Sequence, residues 1–183
     1  MSSVPAAPLS WRQLSVPVLA MTLVIVLANV TVQYPINPWL TWGAFTYPFV
    51  FLVCDLTNRA VGPMAARRVA WAGFAVAVLV SGLLAPWRIA IASGMAFIVS
   101  QVLDILVFNR WRRASWWKAP LIGSQVASVI DTAVFFFLAF AGTDLDWLRL
   151  AGGDLMVKAA MAVLLLAPYR ALIPHLQTWV PAR

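Results

Sequence analysis

The sequence predicts an all-α integral membrane protein, a six-transmembrane-helix bundle with both termini in the cytoplasm. Three observations carry that reading. Hydrophobic residues make up 63% of the 183-residue chain and charged residues 10%, with a mean hydropathy of +0.87. A soluble domain of that composition would have no polar shell to lay over its core. The apolar residues gather into six runs of membrane-helix length, about 17–25 residues each. The basic residues fall in the connections between runs, and nearly all of them on alternate connections.

The runs lie approximately at 16–33, 39–56, 69–87, 89–109, 120–142 and 150–173, with short connections and no low-complexity linker, so residues 1–183 read as a single transmembrane domain. The first follows a Pro/Ser/Ala-rich stretch and is itself long enough to span, which predicts no cleaved leader. Its polar residues Thr22, Asn29 and Gln33 are spaced to share one helix face. The second ends in Asp55-Leu56-Thr57-Asn58-Arg59. The third is almost bare of polar residues except Ser81 and belongs at the lipid-facing rim. The fourth carries a stripe of Ser93, Phe97, Ser100 or Gln101, Asp104 and Phe108. The fifth carries Ser124, Ser128, Asp131 and Phe135, with Thr132 beside them. The sixth places Asp154 and Lys158 at i and i+4, acid first, the favourable order for an ion pair.

Charge fixes the orientation. Arg12, Arg59, Arg67, Arg68, Arg110, Arg112, Arg113, Lys118, Arg170 and Arg183 fall on one side, against Arg88 and Arg149 on the other. The positive-inside rule puts the richer side, and with it both termini, in the cytoplasm. Trp39, Trp42, Trp87, Trp111, Trp116, Trp117 and Trp147 lie at or near span ends, where interfacial anchors belong.

The same features exclude other classes. The net charge of +7 comes from residues scattered over short loops, with no basic, aromatic-interleaved face for nucleic acid. Cys54 is the lone cysteine, so neither an intrachain disulfide nor a cysteine metal cluster is expected. No phosphate loop, paired metal ligands or nucleophile elbow appears, so no enzyme, metal or cofactor is expected. The one histidine, His175, lies beyond Pro174 past the last run.

The acidic residues point to function. All six are Asp, and two sit inside apolar runs in the same local wording, with Val102, Asp104, Val107 and Phe108 matched 27 residues later by Val129, Asp131, Val134 and Phe135. An Asp near the centre of a membrane helix costs about 2.5–3.5 kcal/mol, so each needs a reason. Passage or docking of a polar solute is one; a buried, hydrogen-bonded lock between helices is the other. Five polar stripes among six helices favour a common polar interior. At 1.5 Å per residue Asp131 lies about 16 Å from either end of its span, and Lys158 about 12 Å from the outer end of the next. The two are therefore expected to meet near the midplane, with Asp104 and then Asp55 nearer the cytoplasm.

Residues from Asn29 to about Tyr169 resemble the queuosine precursor transporter family of small six-span membrane proteins. The resemblance is carried, in order, by Asn29-Val30-Thr31-Val32-Gln33, by Thr41 to Phe49 leading into Asp55-Leu56-Thr57-Asn58-Arg59, and by Gly62 with Ala66-Arg67-Arg68. It continues through Arg88 to Phe97, Gln101 to Asp104, Val107 to Arg110, Trp116 to Pro120, Ser128 to Thr132 with Phe135-Phe136-Phe137, and Asp154 to Lys158. It implies a transporter domain in a bacterial inner membrane that imports 7-deazaguanine bases, preQ0 or preQ1, for queuosine salvage. Such a base presents a ring N–H and an exocyclic amine side by side, a donor pair suited to one carboxylate. Asp131 is the first candidate for that edge and Asp104 the second. Phe108 and Phe135 are candidates for stacking, and Gln101, Ser93, Ser128 and Thr132 for the other edges, with Lys158 opposing the acids. Asn29, Gln33, Asp55, Asn58 and Asp154 are candidates for the mouths or for gating. The expected partners are this small molecule and the lipid bilayer.

Overall fold

The computed structural model describes residues 11–179. Arg183 and the first ten residues of the N-terminal stretch lie outside the described residues, as do the side chains of Arg12 and Ser81. The chain runs through α1 (Trp11–Thr31), a small hairpin of β1 (Pro35–Asn37) and β2 (Leu40–Thr41), α2 (Gly43–Thr46), α3 (Pro48–Val61), α4 (Pro63–Leu84), α5 (Trp87–Trp111), α6 (Lys118–Phe140), α7 (Trp147–Leu164) and α8 (Leu166–Trp179).

Among the described residues the segments Leu14–Thr31, Trp87–Trp111 and Lys118–Phe140 are each long and apolar enough to cross a membrane, and α7 with the Leu166–Leu176 part of α8, bent by 43°, is long and apolar enough if the two count as one span. Burial is inverted relative to a soluble protein. Leu83, Leu79 and Met64 are 87%, 74% and 68% exposed, while Asn29, Asp55, Ser93, Asp104, Asp131, Asp154 and Lys158 are all buried. A chain that turns its apolar side chains outward and its charges inward has lipid as its solvent. The protein is a multi-pass, helical membrane protein.

Two expected spans take a different form, and proline explains both. The run expected at 39–56 does not begin as a helix. Pro35 and Pro38 cannot donate, and the chain there folds into the β1–β2 hairpin, Pro35 opposite Thr41 and Asn37 opposite Leu40. Pro48 then interrupts the ladder after α2 and sits in the first turn of α3, a position where its missing N–H costs nothing. Helix α3 continues to Val61 and stops at Gly62, whose φ of 94° suits glycine and whose N–H returns to the Asn58 carbonyl at 3.0 Å. Asp55, Thr57 and Asn58 are therefore inside a helix instead of at its end. The run expected at 150–173 is broken at Leu165. Pro168 has no N–H to offer the Leu164 carbonyl four residues back, which is where the bend falls. The other spans begin earlier than expected, α4 at Pro63 instead of 69.

Packing follows the apolar faces. Helix α1 lies against α3 and α4, α5 against α6, and α6 against α7. Met21, Ile25, Val50, Phe51, Phe97 and Ile105 form the main apolar cluster, with Phe74 stacked on Phe97 at 5.8 Å between centroids. Trp71 and Leu79 of α4 face outward, while Ala65, Ala66, Val69 and Ala70 pack inward.

Candidate functional site

Helix α6 turns one face inward along Ser124, Ser128, Asp131, Thr132 and Phe135, all buried. Opposite it, α7 offers Asp154 and Lys158 one turn apart. The ammonium of Lys158 lies 2.9 Å from Asp131 Oδ2 and 2.6 Å from Asp154 Oδ2. Its third donor reaches Thr132 Oγ1 at 3.2 Å, and that hydroxyl in turn donates to Asp154 Oδ2 at 2.8 Å. The ammonium also lies 4.7 Å from the centre of the Tyr47 ring, on its negative face. Tyr47 closes the arrangement by donating its hydroxyl to Asp131 Oδ1 at 2.6 Å, with the Ser100 hydroxyl 3.2 Å from the same oxygen.

Two ionised carboxylates and one ammonium would leave a surplus of one negative charge at the centre of a lipid-embedded bundle. A balanced buried pair roughly offsets its own desolvation, whereas an unbalanced charge does not. Either one of the two acids is neutral here, or a further hydrogen-bond donor meets it.

Two cavities flank the ammonium. The first is lined by Asn29, Gly43, Tyr47, Ser93, Asp131, Phe135, Asp154 and Lys158, with Ala28, Val32 and Ala96. The second is lined by Asp55, Ser124, Ser128, Lys158 and Tyr169, with Pro48, Phe51, Leu52, Pro120, Ala162 and the leucines of the α7–α8 bend. Counting the clefts that lead from them, they hold about 340 and 320 Å³, but the room for a water-sized body is about 20 Å³ in each. That is space for about one water molecule. A ring-sized solute enters only when the helices part.

The expected site residues divide accordingly. Asp131 and Lys158 meet, as their depths require. Phe135, Ser93, Asn29 and Asp154 join them around the first cavity, so Asn29 and Asp154 are interior groups and not residues of an open mouth. Asn29 accepts from Ser93 Oγ at 2.6 Å, tying α1 to α5. Ser128 and Asp55 belong to the second cavity, where Asp55 meets Ser124 at 3.4 Å. Gln101, Asp104, Phe108 and Thr132 line neither cavity; Thr132 acts through Asp154 and Lys158. Asp104 faces α6, where Gly123 makes room for it: a Cβ there would stand 2.7 Å from Asp104 Oδ1. Asp104 lies beside the Cys54 thiol, and among the described residues neither amide atom of Gln101 has a hydrogen-bond partner. Phe108 packs with Ala119 and Tyr169. Gln33 bridges to the Leu84 carbonyl at the end of α4. Asn58 is fully buried and accepts from Arg112, whose guanidinium also reaches the Arg59 carbonyl at 2.9 Å while Arg59 reaches back to the Arg112 carbonyl at 3.3 Å. That reciprocal clasp ties α3 to the end of α5 and makes Asn58 a joint between helices.

Tyr47 and Tyr169 were not among the expected site residues. Tyr47 stands in the Thr46-Tyr47-Pro48 step, and its signal was the proline that lets a new helix begin with the ring turned inward.

Comparison with known proteins gives a consistent picture. The family model described as "Putative vitamin uptake transporter" matches residues 41–86 and 82–172. The chain is 37% identical over 175 residues to the "Queuosine precursor transporter" of Escherichia coli (strain K12), covering 80% of this chain and 79% of that protein. It is 34% identical over 154 residues to the "Probable queuosine precursor transporter" of Haemophilus influenzae, covering 70% of this chain and 66% of that one. A protein of the same printed name from Bacillus subtilis (strain 168) is 28% identical over 161 residues, covering 70% of this chain and 69% of the relative. No solved structure matches the chain. With an interior built from paired acids and a single ammonium, and with this identity over four-fifths of its length, the chain belongs to the queuosine precursor transporter family.

Proposed function

We propose that this protein imports queuosine precursors, the 7-deazaguanine bases preQ0 or preQ1, as a single 1–183 domain of six spans in a bacterial inner membrane, with both termini cytoplasmic. The observation that carries the reading is the acid surplus at the first cavity. Asp131 accepts the base's adjacent ring N–H and amine, displacing the Lys158 ammonium, which stays neutralised by Asp154 only 2.6 Å away. Phe135 offers its ring to the flat face. Ser93 and Asn29 meet the carbonyl edge. The donor that Lys158 gives Asp131 is thus exchanged for the solute's, while Lys158 keeps its bonds to Asp154 and Thr132.

The test is equilibrium binding of preQ0, preQ1, guanine and adenine to the purified protein and to Asp131→Asn. Asn keeps the volume but offers an amine to a donor edge, so affinity for the deazaguanines should fall by about 2–4 kcal/mol, on the order of 30- to 1,000-fold. Unchanged affinity removes Asp131 from the site. A second reading, a membrane scaffold held together by these charges, is supported by the saturation of all three Lys158 donors. It predicts that none of the four bases binds.

A further inference from the structure

The two cavities share a single lining residue. Along α6 they follow one another without overlap, Phe135 and Asp131 bordering the first, Ser128, Ser124 and Pro120 the second. Along α7 and α8 the order is Asp154, then Lys158, then Ala162, Leu165, Leu166 and Tyr169. The two helices that line both, α6 and α7, therefore place the cavities in series, and Lys158 is the partition common to both.

They are also built alike. The first has carboxylates, a tyrosine hydroxyl, a serine and a phenylalanine: Asp131, Asp154, Tyr47, Ser93 and Phe135. The second has a similar set, with one carboxylate and two serines: Asp55, Tyr169, Ser124, Ser128 and Phe51. They also differ in how their polar atoms are met. In the first, Lys158 and Tyr47 take up the Asp131 oxygens. In the second, Asp55 Oδ1 and the Tyr169 hydroxyl have no hydrogen-bond partner among the described residues, although Asp55 is 2% and Tyr169 1% exposed. A buried polar atom without a partner forfeits its hydration for nothing, and is explained when something else is meant to meet it.

We propose that the second cavity is a second binding station for the same solute, a planar heterocycle with adjacent N–H donors and a carbonyl, which passes into it when Lys158 moves aside. There Asp55 accepts the donor edge that Asp131 has released, the Tyr169 hydroxyl donates to the carbonyl, and Phe51 borders the ring. Lys158 swings on its four-carbon stem toward Asp131 and Asp154 behind the solute, closing the path it came by. This rests on the transport reading above, and adds to it an address for the solute after the first site.

The experiment measures sidedness. Uptake of radiolabelled preQ1 is followed in right-side-out and in inside-out membrane vesicles, for the wild type, Asp55→Asn and Tyr169→Phe, normalised to folded protein by size-exclusion chromatography. The Arg59–Arg112 end lies beyond Asp55, so a solute entering from that end meets the second station first. Asp55→Asn and Tyr169→Phe should each raise the half-saturating concentration at that face relative to the opposite face, by about tenfold or more, the scale of one lost charge-assisted hydrogen bond. Asp131→Asn should not produce that asymmetry in the same sense. If both variants change the two faces equally, or change neither, the second station is overturned while import through the first stands. If wild-type vesicles take up no preQ1, the transport reading fails first, a different result. Tyr169→Phe keeps the test intact should Asp55→Asn fold poorly, because it removes one oxygen that no described residue engages.

Discussion

Removing the ammonium of Lys158 should do more harm than removing either of its acids. In Lys158→Met, Asp131 and Asp154 lose the cation that sits 2.9 and 2.6 Å from them and face one another across a dry interior. Stranding a charge by deleting its buried partner costs about 3–5 kcal/mol. In Asp154→Asn the remaining Lys158–Asp131 pair is balanced, Thr132 still reaches the ammonium at 3.2 Å, and the loss is that of a hydrogen bond, about 1–2 kcal/mol. For a chain of this length about 1 kcal/mol moves the melting temperature by about 2–4 °C. Lys158→Met should therefore melt about 6–20 °C below the wild type in detergent, and Asp154→Asn by less than half of that. Adding Asp131→Asn to Lys158→Met removes one stranded acid and should recover at least a third of the loss. All variants are compared at one scan rate, since membrane proteins unfold irreversibly in detergent. Two results refute the reasoning: Lys158→Met melting with the wild type, or a double variant whose loss is the sum of the singles.

Three further outcomes follow from the geometry. Gly153→Ala should sharply reduce the yield of folded protein, because a Cβ there would run into the Trp39 carbonyl oxygen, whereas Gly152→Ala next to it meets nothing within 4 Å and should be neutral or slightly stabilising; size-exclusion profiles of the two read the difference. Tyr47→Phe removes the hydroxyl 2.6 Å from Asp131 and should weaken preQ1 binding by about five- to thirtyfold in an equilibrium binding assay. Ser115→Cys, exposed in the connection between α5 and α6, should react with a membrane-impermeant maleimide only after cells are opened, since Cys54 is 1% exposed and silent; labelling in intact cells would reverse the orientation.

Much of the site could be read from spacing because helices are regular. A rise of 1.5 Å per residue was enough to bring Asp131 to Lys158, and a period of 3.6 was enough to put Ser128, Asp131 and Phe135 on one face. Spacing does not say how far two helices stand apart, and that decided the rest. Gly123 lets α5 and α6 approach at Asp104, so a carboxylate on the expected stripe meets a helix backbone and no cavity. The same closeness gives Ser100, and not Gln101 beside it, the contact with Asp131. Breaks are legible as prolines inside apolar runs. Pro48 and Pro168 each remove one backbone donor, and the side chains next to them, Tyr47 and Tyr169, are the two site residues that periodicity through an unbroken helix would misplace.

The bend at Leu165 has a mechanical meaning. A continuous helix is a stiff rod: tilting one end moves the other. With the ladder interrupted before Pro168, α8 is joined to α7 by a hinge instead of a shaft. Leu165 and Leu166 border the second cavity at the pivot itself, with Tyr169 one turn beyond on the swinging arm and Lys158 on the fixed one. A tilt of α8 about that bend would change the wall of the second cavity without moving the Asp131–Lys158–Asp154 cluster.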